Sequence, residues 1–380
     1  VILMKPSILV LLLMQLLITA SLVAQRKSPF DAWGKNGDGQ LTKEELPPNV
    51  RQNFEQADAN NDGIISREED SAFRRRAVQS SNASRQSRTP ASIEVKSDLA
   101  YAGTDNSRQK LDLFFPKKRA IKKPLPLIAF IHGGGWRNGN KRSGLHRVAT
   151  FVESGDFVGA SIGYRLSSEA IWPAQIHDCK AAIRWLRAHA DEFGFDPDRI
   201  AVMGSSAGGH LVAMLGTSGD VKKLEGDLGK HQDVSSRVNC VIDEFGPTNF
   251  LTMNDFPGKM DHLAKDSPES KLLGRQITEI PELVREASPI THVTKDDPPI
   301  LIIHGTKDPL VPYQQSVTFA EALRKAEVNV TLQKIENGEH GGFNNEKVNG
   351  RTKAFLQKYL LGRDVKISSE PIIVEPRRRR

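Results

Sequence analysis

Apolar and polar positions change rhythm along the chain, and the change separates its parts. From about Ile93 onward, short apolar runs alternate with stretches of helical spacing. "LPLIAFI" (125–131) is continuously apolar, the pattern of a strand covered on both faces. "AQIHDCKAAIRWLRAHADEF" (174–193) instead spaces Ile176, Ala182, Ile183 and Leu186 as a helix does. Further strands are read in "IEVKSDLAY", "KLDLFF", "FVGASIGY", "RIAVM", "NCVIDEF", "PILIIHG" and "NVTLQKI". Helices are expected from Ala207, from about Tyr313 to Lys325, and to about Leu361 at the close. This alternation predicts an α/β fold, a mostly parallel sheet with helices on both faces. Sites in such sheets lie at the carboxyl ends of the strands, so the residues that end strands are the informative ones.

The first 92 residues do not follow that rhythm. Lys5 precedes the run Ile8–Ile18, broken only by Gln15, with small residues at Ala20, Ser21 and Ala24. This reads as a secretory signal over 1–24, cleaved between Ala20 and Ala24, and so as a secreted or periplasmic protein. The run is too short to span a bilayer comfortably, so no stable membrane insertion is expected, an uncleaved anchor being the alternative. Residues 73–91 are basic, Ser-rich and without apolar period, a linker. The alternating body is placed at 92–363, and 364–380, ending in Arg377–Arg380, is expected to be a disordered basic tail.

Between signal and linker, 28–72 carries two oxygen-rich loops. "DANNDGIISREE" (58–69) supplies Asp58, Asn60, Asp62, the Ile64 carbonyl, Ser66 and Glu69, with Gly63 at the tight turn. Hard cations need such converging oxygens, and the loop resembles an EF-hand expected to bind calcium in a structural role. The earlier copy "GKNGDGQLTKEE" (34–45) offers Asn36, Asp38, Gln40, Thr42 and Glu45. Gly34 replaces its first carboxylate and Asp31 lies three residues too early, so a weaker second site is expected. Leu41 and Ile65 hold equivalent positions, as two loops pairing across a short strand require.

Charge narrows the partners. The chain carries +7 overall. Arg74, Arg75, Arg76, Arg85, Arg88 and Arg377–Arg380 account for nine positive charges, and removing them leaves +7 − 9 = −2. The body is near neutral, and no nucleic-acid partner is expected. Two cysteines occur, Cys179 and Cys240. They are read either as buried free thiols or, in an exported chain, as a pair.

Four strand ends carry one chemistry. "GSSAGGH" (204–210) lies between "RIAVM" and a helix, so Ser206 tops a strand-to-helix turn that presents a hydroxyl clear of the sheet. Ser205 is its rival, at the second place of the turn. "HGGGW" (132–136) follows "LPLIAFI" and offers the amides of Gly133 and Gly134, with that of Ala207, as donors to an oxyanion. His132 braces this loop, and Trp136 either walls the pocket or packs the loop. A phosphate loop is excluded, because the lysine and Ser/Thr that should follow are missing. "HGTKDPLVP" (304–312) supplies Asp308 to orient a base, with Asp243 as the alternative acid. "NGEHGGF" (337–343) supplies His340 as that base, whereas His210 and His304 are read as structural. Residues 218–290 are expected to form the lid and much of the acyl pocket, with Phe245 near the site.

These motifs, in this order, resemble α/β-hydrolases of the hormone-sensitive-lipase-like esterase group. "YAGTDNSRQKLDLFFP" and the stretch from "WPAQIHDCK" to "GSSAGGH" are more narrowly similar to bacterial feruloyl- and acetylxylan-esterase-like hydrolases. The likeness covers about 93–362. It implies an α/β-hydrolase fold after the EF-hand pair, a Ser206–Asp308–His340 triad, no organic cofactor and hydrolysis of carboxylic esters, small or polysaccharide-linked. Ser205 departs from the pattern, since many relatives carry aspartate there. Two other readings compete: an amidase such as an arylformamidase, or a peptidase, on the same fold; and a calcium-dependent adhesion or assembly protein with an idle hydrolase fold. Oligomeric state is not legible.

Overall fold

The computed structural model describes residues 29–34, 36–48, 50–74, 76, 89–119, 123–343 and 346–374. The signal-like segment 1–24 and the linker residues 77–88 lie outside them. The chain divides into two compact units, 1–89 and 90–380.

In the first unit, Gln40–Leu41 pairs antiparallel with Ile65–Ser66, and Leu41 stands opposite Ile65 as expected. Phe30, Leu41, Leu46, Phe54, Ala57 and Ile65 form its buried core. The helix after the second loop runs through 67–74, and Phe73 packs on that core. Phe73 and Arg74 therefore extend this helix instead of opening the linker; Arg74 Nε reaches Asp70 Oδ2, one turn back, at 2.7 Å.

The second unit is built on a nine-stranded sheet. Its strands are β1 (Ile93–Ala100), β2 (Lys110–Pro116), β3 (Leu125–Ile131), β4 (Val158–Ile162), β5 (Phe195–Ser205), β6 (Cys240–Glu244), β7 (Ile300–Gly305), β8 (Val330–Glu336) and β9 (Ile372–Ile373). Their spatial order is β9-β8-β7-β6-β5-β3-β4-β2-β1, antiparallel for β1–β2 and β2–β4 and parallel from β4 onward. The helices that matter for the site are α1 (Gly144–Glu153), α2 (Ala174–Ala188), α3 (Ala207–Thr217), α4 (Pro268–Leu273), α5 (Gln314–Lys325) and α6 (Glu346–Tyr359).

The period of two inside the apolar runs explains the layers. Leu125, Leu127, Ala129 and Ile131 of β3 face one core, shared with α2, α3 and α5. Ile128 and Phe130 face the other, shared with α1 and α6. All seven residues of β3 are buried, and each large side chain so placed contributes about 1.5–3 kcal/mol. Cys179 and Cys240 are free, buried thiols in opposite cores, so the sheet separates them and the pairing alternative falls away.

The tail is corrected in part. Ile372 pairs with Ile335 and Ile373 with Glu336, adding β9 to the sheet edge. Ile372 is 3% exposed and Ile373 72%, the alternation of an edge strand. Gln333 Nε2 and the Arg351 guanidinium donate to the Glu370 carbonyl and hold the approach to β9. Residues 375–380 lie outside the described residues.

Candidate active site

β5 pairs Ser205 with Glu244 of β6 and then turns. At the apex Ser206 has φ 56° and ψ −122°, a backbone that L-residues avoid at a cost of about 1–3 kcal/mol. Surrounding contacts hold it there. The Ser206 N–H donates to the Glu244 carbonyl at 2.9 Å, and the Ser206 carbonyl accepts from His210 N–H at 3.0 Å. A Cβ on Gly208 would lie 2.2 Å from the Ile131 carbonyl oxygen, so only glycine lets α3 start this close to β3. The first N–H groups of α3 have no acceptor within the helix and point toward the turn, favouring negative charge.

The glycine loop after β3 lies against this turn. A Cβ on Gly133 would be 2.5 Å from the Ser205 carbonyl oxygen and 3.3 Å from Ser206 Cβ. The Gly134 carbonyl accepts from the amides of Arg137 and Asn138, at 3.2 and 3.0 Å. His132 does brace this loop: its Nδ1 donates to the Gly133 carbonyl at 2.8 Å and its ring stacks on Tyr164 at 4.3 Å. Burial lowers its pKa to about 4, so the ring is neutral.

Three strand ends then meet. His340 Nε2 is 3.0 Å from Ser206 Oγ, and His340 Nδ1 is 2.7 Å from Asp308 Oδ2. Asp308 Oδ1 accepts from the amides of Leu310 and Val311, at 2.8 and 2.9 Å. Burial by itself would raise the Asp308 pKa, but hydrogen bonds from His304 and His340 prevail and hold it well below the usual carboxylate range. His304 thus does more than fill the core, since its Nε2 is 3.2 Å from Asp308 Oδ2. Asp243 is excluded as the partner of His340: its Oδ1 accepts from the Gly246 amide at 2.9 Å, and burial pushes its pKa up to about 7.

A cavity of about 430 Å³ opens on this constellation. Ser206, Ala207, Gly133, Gly134 and His340 line it, and so do Phe245 and Trp136. The Phe245 ring stands edge-on to His340 with centroids 4.7 Å apart. Trp136 lines the cavity while its indole N–H donates to His210 Nδ1 at 3.2 Å. The segment 218–290 contributes Phe245, Pro247, Met260, His262, Pro268 and Glu269 to the lining. Sequence reasoning missed His262 and Glu269, because "NDFPGKMDHLAKDSPES" has no period to read.

The second oxygen-rich loop is tightly organised in its own unit. Asp58 accepts from the amides of Asp62 and Gly63, at 3.2 and 3.0 Å. Ser66 and Glu69 form a reciprocal cap: Ser66 N–H donates to Glu69 Oε2 at 2.9 Å and Glu69 N–H to Ser66 Oγ at 3.2 Å. Hydrogen bonds from Ser66 lower the Glu69 pKa. Thr42 N–H donates to Glu45 Oε2 at 2.9 Å, repeating half of this cap in the first loop. Among the described residues no three His, Cys, Asp or Glu side chains form a ready-made metal cluster. The loop instead offers a mixed set of carboxylate, amide, hydroxyl and backbone oxygens, the chemistry a hard cation takes.

Fold and site together define an α/β-hydrolase. The family model described as BD-FAE matches residues 111–323, more than half of the chain, and the chain belongs to that family. A second family model, described as EF hand, matches residues 51–69. The chain is similar to esterase LipC of Mycobacterium tuberculosis, 36% identical over 220 residues, which cover 58% of this chain and 53% of that protein. It thus spans about half the length of the curated relatives it matches. Among solved structures, a truncated carbohydrate esterase from gut microbiota superposes with a TM-score of 0.65 at 34% identity, covering 70% of this chain and 96% of that one. Thermogutta terrifontis esterase 2, phosphorylated by paraoxon, gives a TM-score of 0.55 at 26% identity, covering 73% and 97%.

Proposed function

We propose that the chain is a serine carboxylic ester hydrolase with Ser206 as nucleophile, His340 as base and Asp308 as its orienting acid. One observation carries this reading: Ser206 Oγ is 3.0 Å from His340 Nε2, whose other nitrogen is 2.7 Å from Asp308. His340 takes the proton of Ser206 as Oγ attacks the ester carbonyl carbon. The amides of Gly133, Gly134 and Ala207 stabilise the oxyanion. The ester C–O bond breaks, the alcohol leaves with the proton from His340, and an acyl-serine remains. Water, deprotonated by His340, then releases the acid and restores Ser206. No organic cofactor enters these steps.

Acylated saccharides are the substrate class we favour, because the carbohydrate esterase matches this chain at 34% identity over 96% of its own length. We further propose that the chain is exported, on the pattern of Lys5 and the run Ile8–Ile18. The loop 58–69 is proposed to hold calcium through Asp58, Asn60, Asp62, the Ile64 carbonyl, Ser66 and Glu69, in a structural role. The loop 34–45, through Asn36, Asp38, Gln40 and Glu45, would be the weaker site.

The test is paraoxon labelling followed by peptide mapping, alongside hydrolysis of 4-nitrophenyl acetate. Label on Ser206, with both label and turnover lost in Ser206→Ala, is the expected result. Undiminished turnover in Ser206→Ala would sink the assignment.

A further inference from the structure

Where loops after β6 and β7 line the cavity, the wall is mostly apolar: Pro247, Met260, Pro268, Leu310 and Val311. Two groups interrupt it. His262 and Glu269 line the same cavity, each with a side chain only 3% exposed. His262 Nδ1 is 3.0 Å from Glu269 Oε1, and His262 Nε2 is 2.9 Å from the Leu310 carbonyl oxygen. A carboxylate and a carbonyl only accept hydrogen bonds, so meeting both requires a hydrogen on each ring nitrogen. His262 is therefore an imidazolium, and the pair carries no net charge. Its carriers are fixed locally. The His262 amide donates to Asn254 Oδ1 at 2.9 Å, and Ser267 Oγ caps α4, which bears Glu269, by accepting from Ser270 N–H at 3.0 Å.

The second carboxylate oxygen, Glu269 Oε2, is buried and meets no donor among the described residues, so a hydroxyl in the cavity reaches it once a neighbouring side chain of the wall yields. Leaving such an oxygen unpaired is costly, the more so when the group is charged. A pair serving stability alone gains nothing from this arrangement. A cavity wall that must hold a substrate does, because the missing donor can come with the ligand.

We infer that Glu269 Oε2 accepts a hydrogen bond from a hydroxyl of the ester's alcohol portion, with His262 as the positioning residue that holds the carboxylate. The site would then select esters of polyhydroxylated alcohols, the chemistry of sugars, over esters of hydrocarbon alcohols. A neutral hydroxyl fits better than a cation, since the adjacent imidazolium already balances the carboxylate and repels positive charge. Met260, Pro268 and Leu310 provide apolar surface for the carbon face of a ring. This inference rests on the reading of Ser206 as nucleophile.

The experiment compares kcat/KM for a methyl xyloside monoacetate with that for cyclohexyl acetate. In the unmodified protein the sugar ester should be favoured by about tenfold or more, since a site built for a hydroxyl rejects the analogue lacking it. Glu269→Gln and His262→Gln should each lower that ratio about tenfold, with the loss falling on KM for the sugar ester. An unchanged ratio in Glu269→Gln, or a parallel loss on both esters, overturns the inference. Should the variants fail to fold, a preference of the unmodified protein for cyclohexyl acetate overturns it alone. No preference for the sugar ester in the unmodified protein, with Ser206 still labelled by paraoxon, defeats only this inference. A protein that hydrolyses neither ester and leaves Ser206 unlabelled defeats the esterase reading and this inference together.

Discussion

His304, near the end of β7, and Asp308, just past it, are joined by a hydrogen bond of 3.2 Å from Nε2 to Oδ2. His340 uses the same oxygen at 2.7 Å, and Ser316 Oγ secures the far side of His304 at 2.7 Å. His304 thus sets the direction from which Asp308 meets His340. His304→Phe should lower kcat for 4-nitrophenyl acetate on the order of tenfold, as a misplaced catalytic group does, with a smaller change in KM. Stability should also fall by about 1.5–3 kcal/mol, the worth of a hydrogen bond to a charged group. The depressed pKa of Asp308 makes part of its contribution pH-dependent: full above about pH 4 and lost as pH falls further through the folded value. Steady-state kinetics and urea unfolding check both effects, and an unaltered kcat would mean that Asp308 keeps its place without His304.

The residues of the proposed triad were legible because a parallel sheet sends all its carboxyl ends to one side. Ser206, Asp308 and His340 each follow a strand, so reading strand ends finds them although 134 positions separate the serine from the histidine. The pattern favoured Asp308 and left Asp243 as the alternative, since both lie near strand ends and the path of the β7–α5 loop decides between them. His262 and Glu269 escaped for a related reason: they meet through an irregular segment whose course is set by tertiary packing. Strand β9 was invisible because two residues carry no period, and its place depends on Gln333 and Arg351, far from it in the chain.

Gly133 is placed where no side chain fits. Its Cβ would sit 2.5 Å from the Ser205 carbonyl oxygen, a backbone atom that cannot swing away. In Gly133→Ala the loop must retreat from Ser206 and carry its amides with it. Losing one oxyanion donor costs about 10²–10³ in kcat, and a loss of that size is expected here. Circular dichroism should show the fold retained. A variant with ordinary kcat would remove Gly133 from the anion site.

Acid should destabilise the protein in part through His210, which shares its lowered pKa with His132. His210 is wholly buried, accepts from Trp136 Nε1 at 3.2 Å, and donates through Nε2 to the Ala287 carbonyl at 2.7 Å. Protonating Nδ1 would set two hydrogens against each other, and burial lowers the pKa from 6.5 to about 4. The unfolded chain therefore binds the extra proton first. Stability falls as pH drops from about 6.5 toward 4, by on the order of 3 kcal/mol, and this contribution flattens below. His210→Gln, which can still accept from Trp136, should show a shallower decline in urea midpoint over that window. An identical slope in the variant would show that His210 is not the titrating group.

Calcium should act on the first unit and leave turnover alone. The two units have separate hydrophobic cores, and the oxygen donors of 58–69 lie among residues of the smaller one. Glu69 is the residue to change, because it can supply two oxygens to the ion while its carboxylate also ties Ser66 and the start of the following helix. Saturating calcium at about a hundred times its Kd stabilises a folded unit by ~2.7 kcal/mol. Calorimetry should therefore show a transition that rises with calcium, falls with chelator, and loses its calcium response in Glu69→Gln. The kcat/KM for 4-nitrophenyl acetate should stay the same in chelator while the second unit remains folded. A drop in turnover under those conditions would show that the ion is coupled to the triad and not only to its own loop.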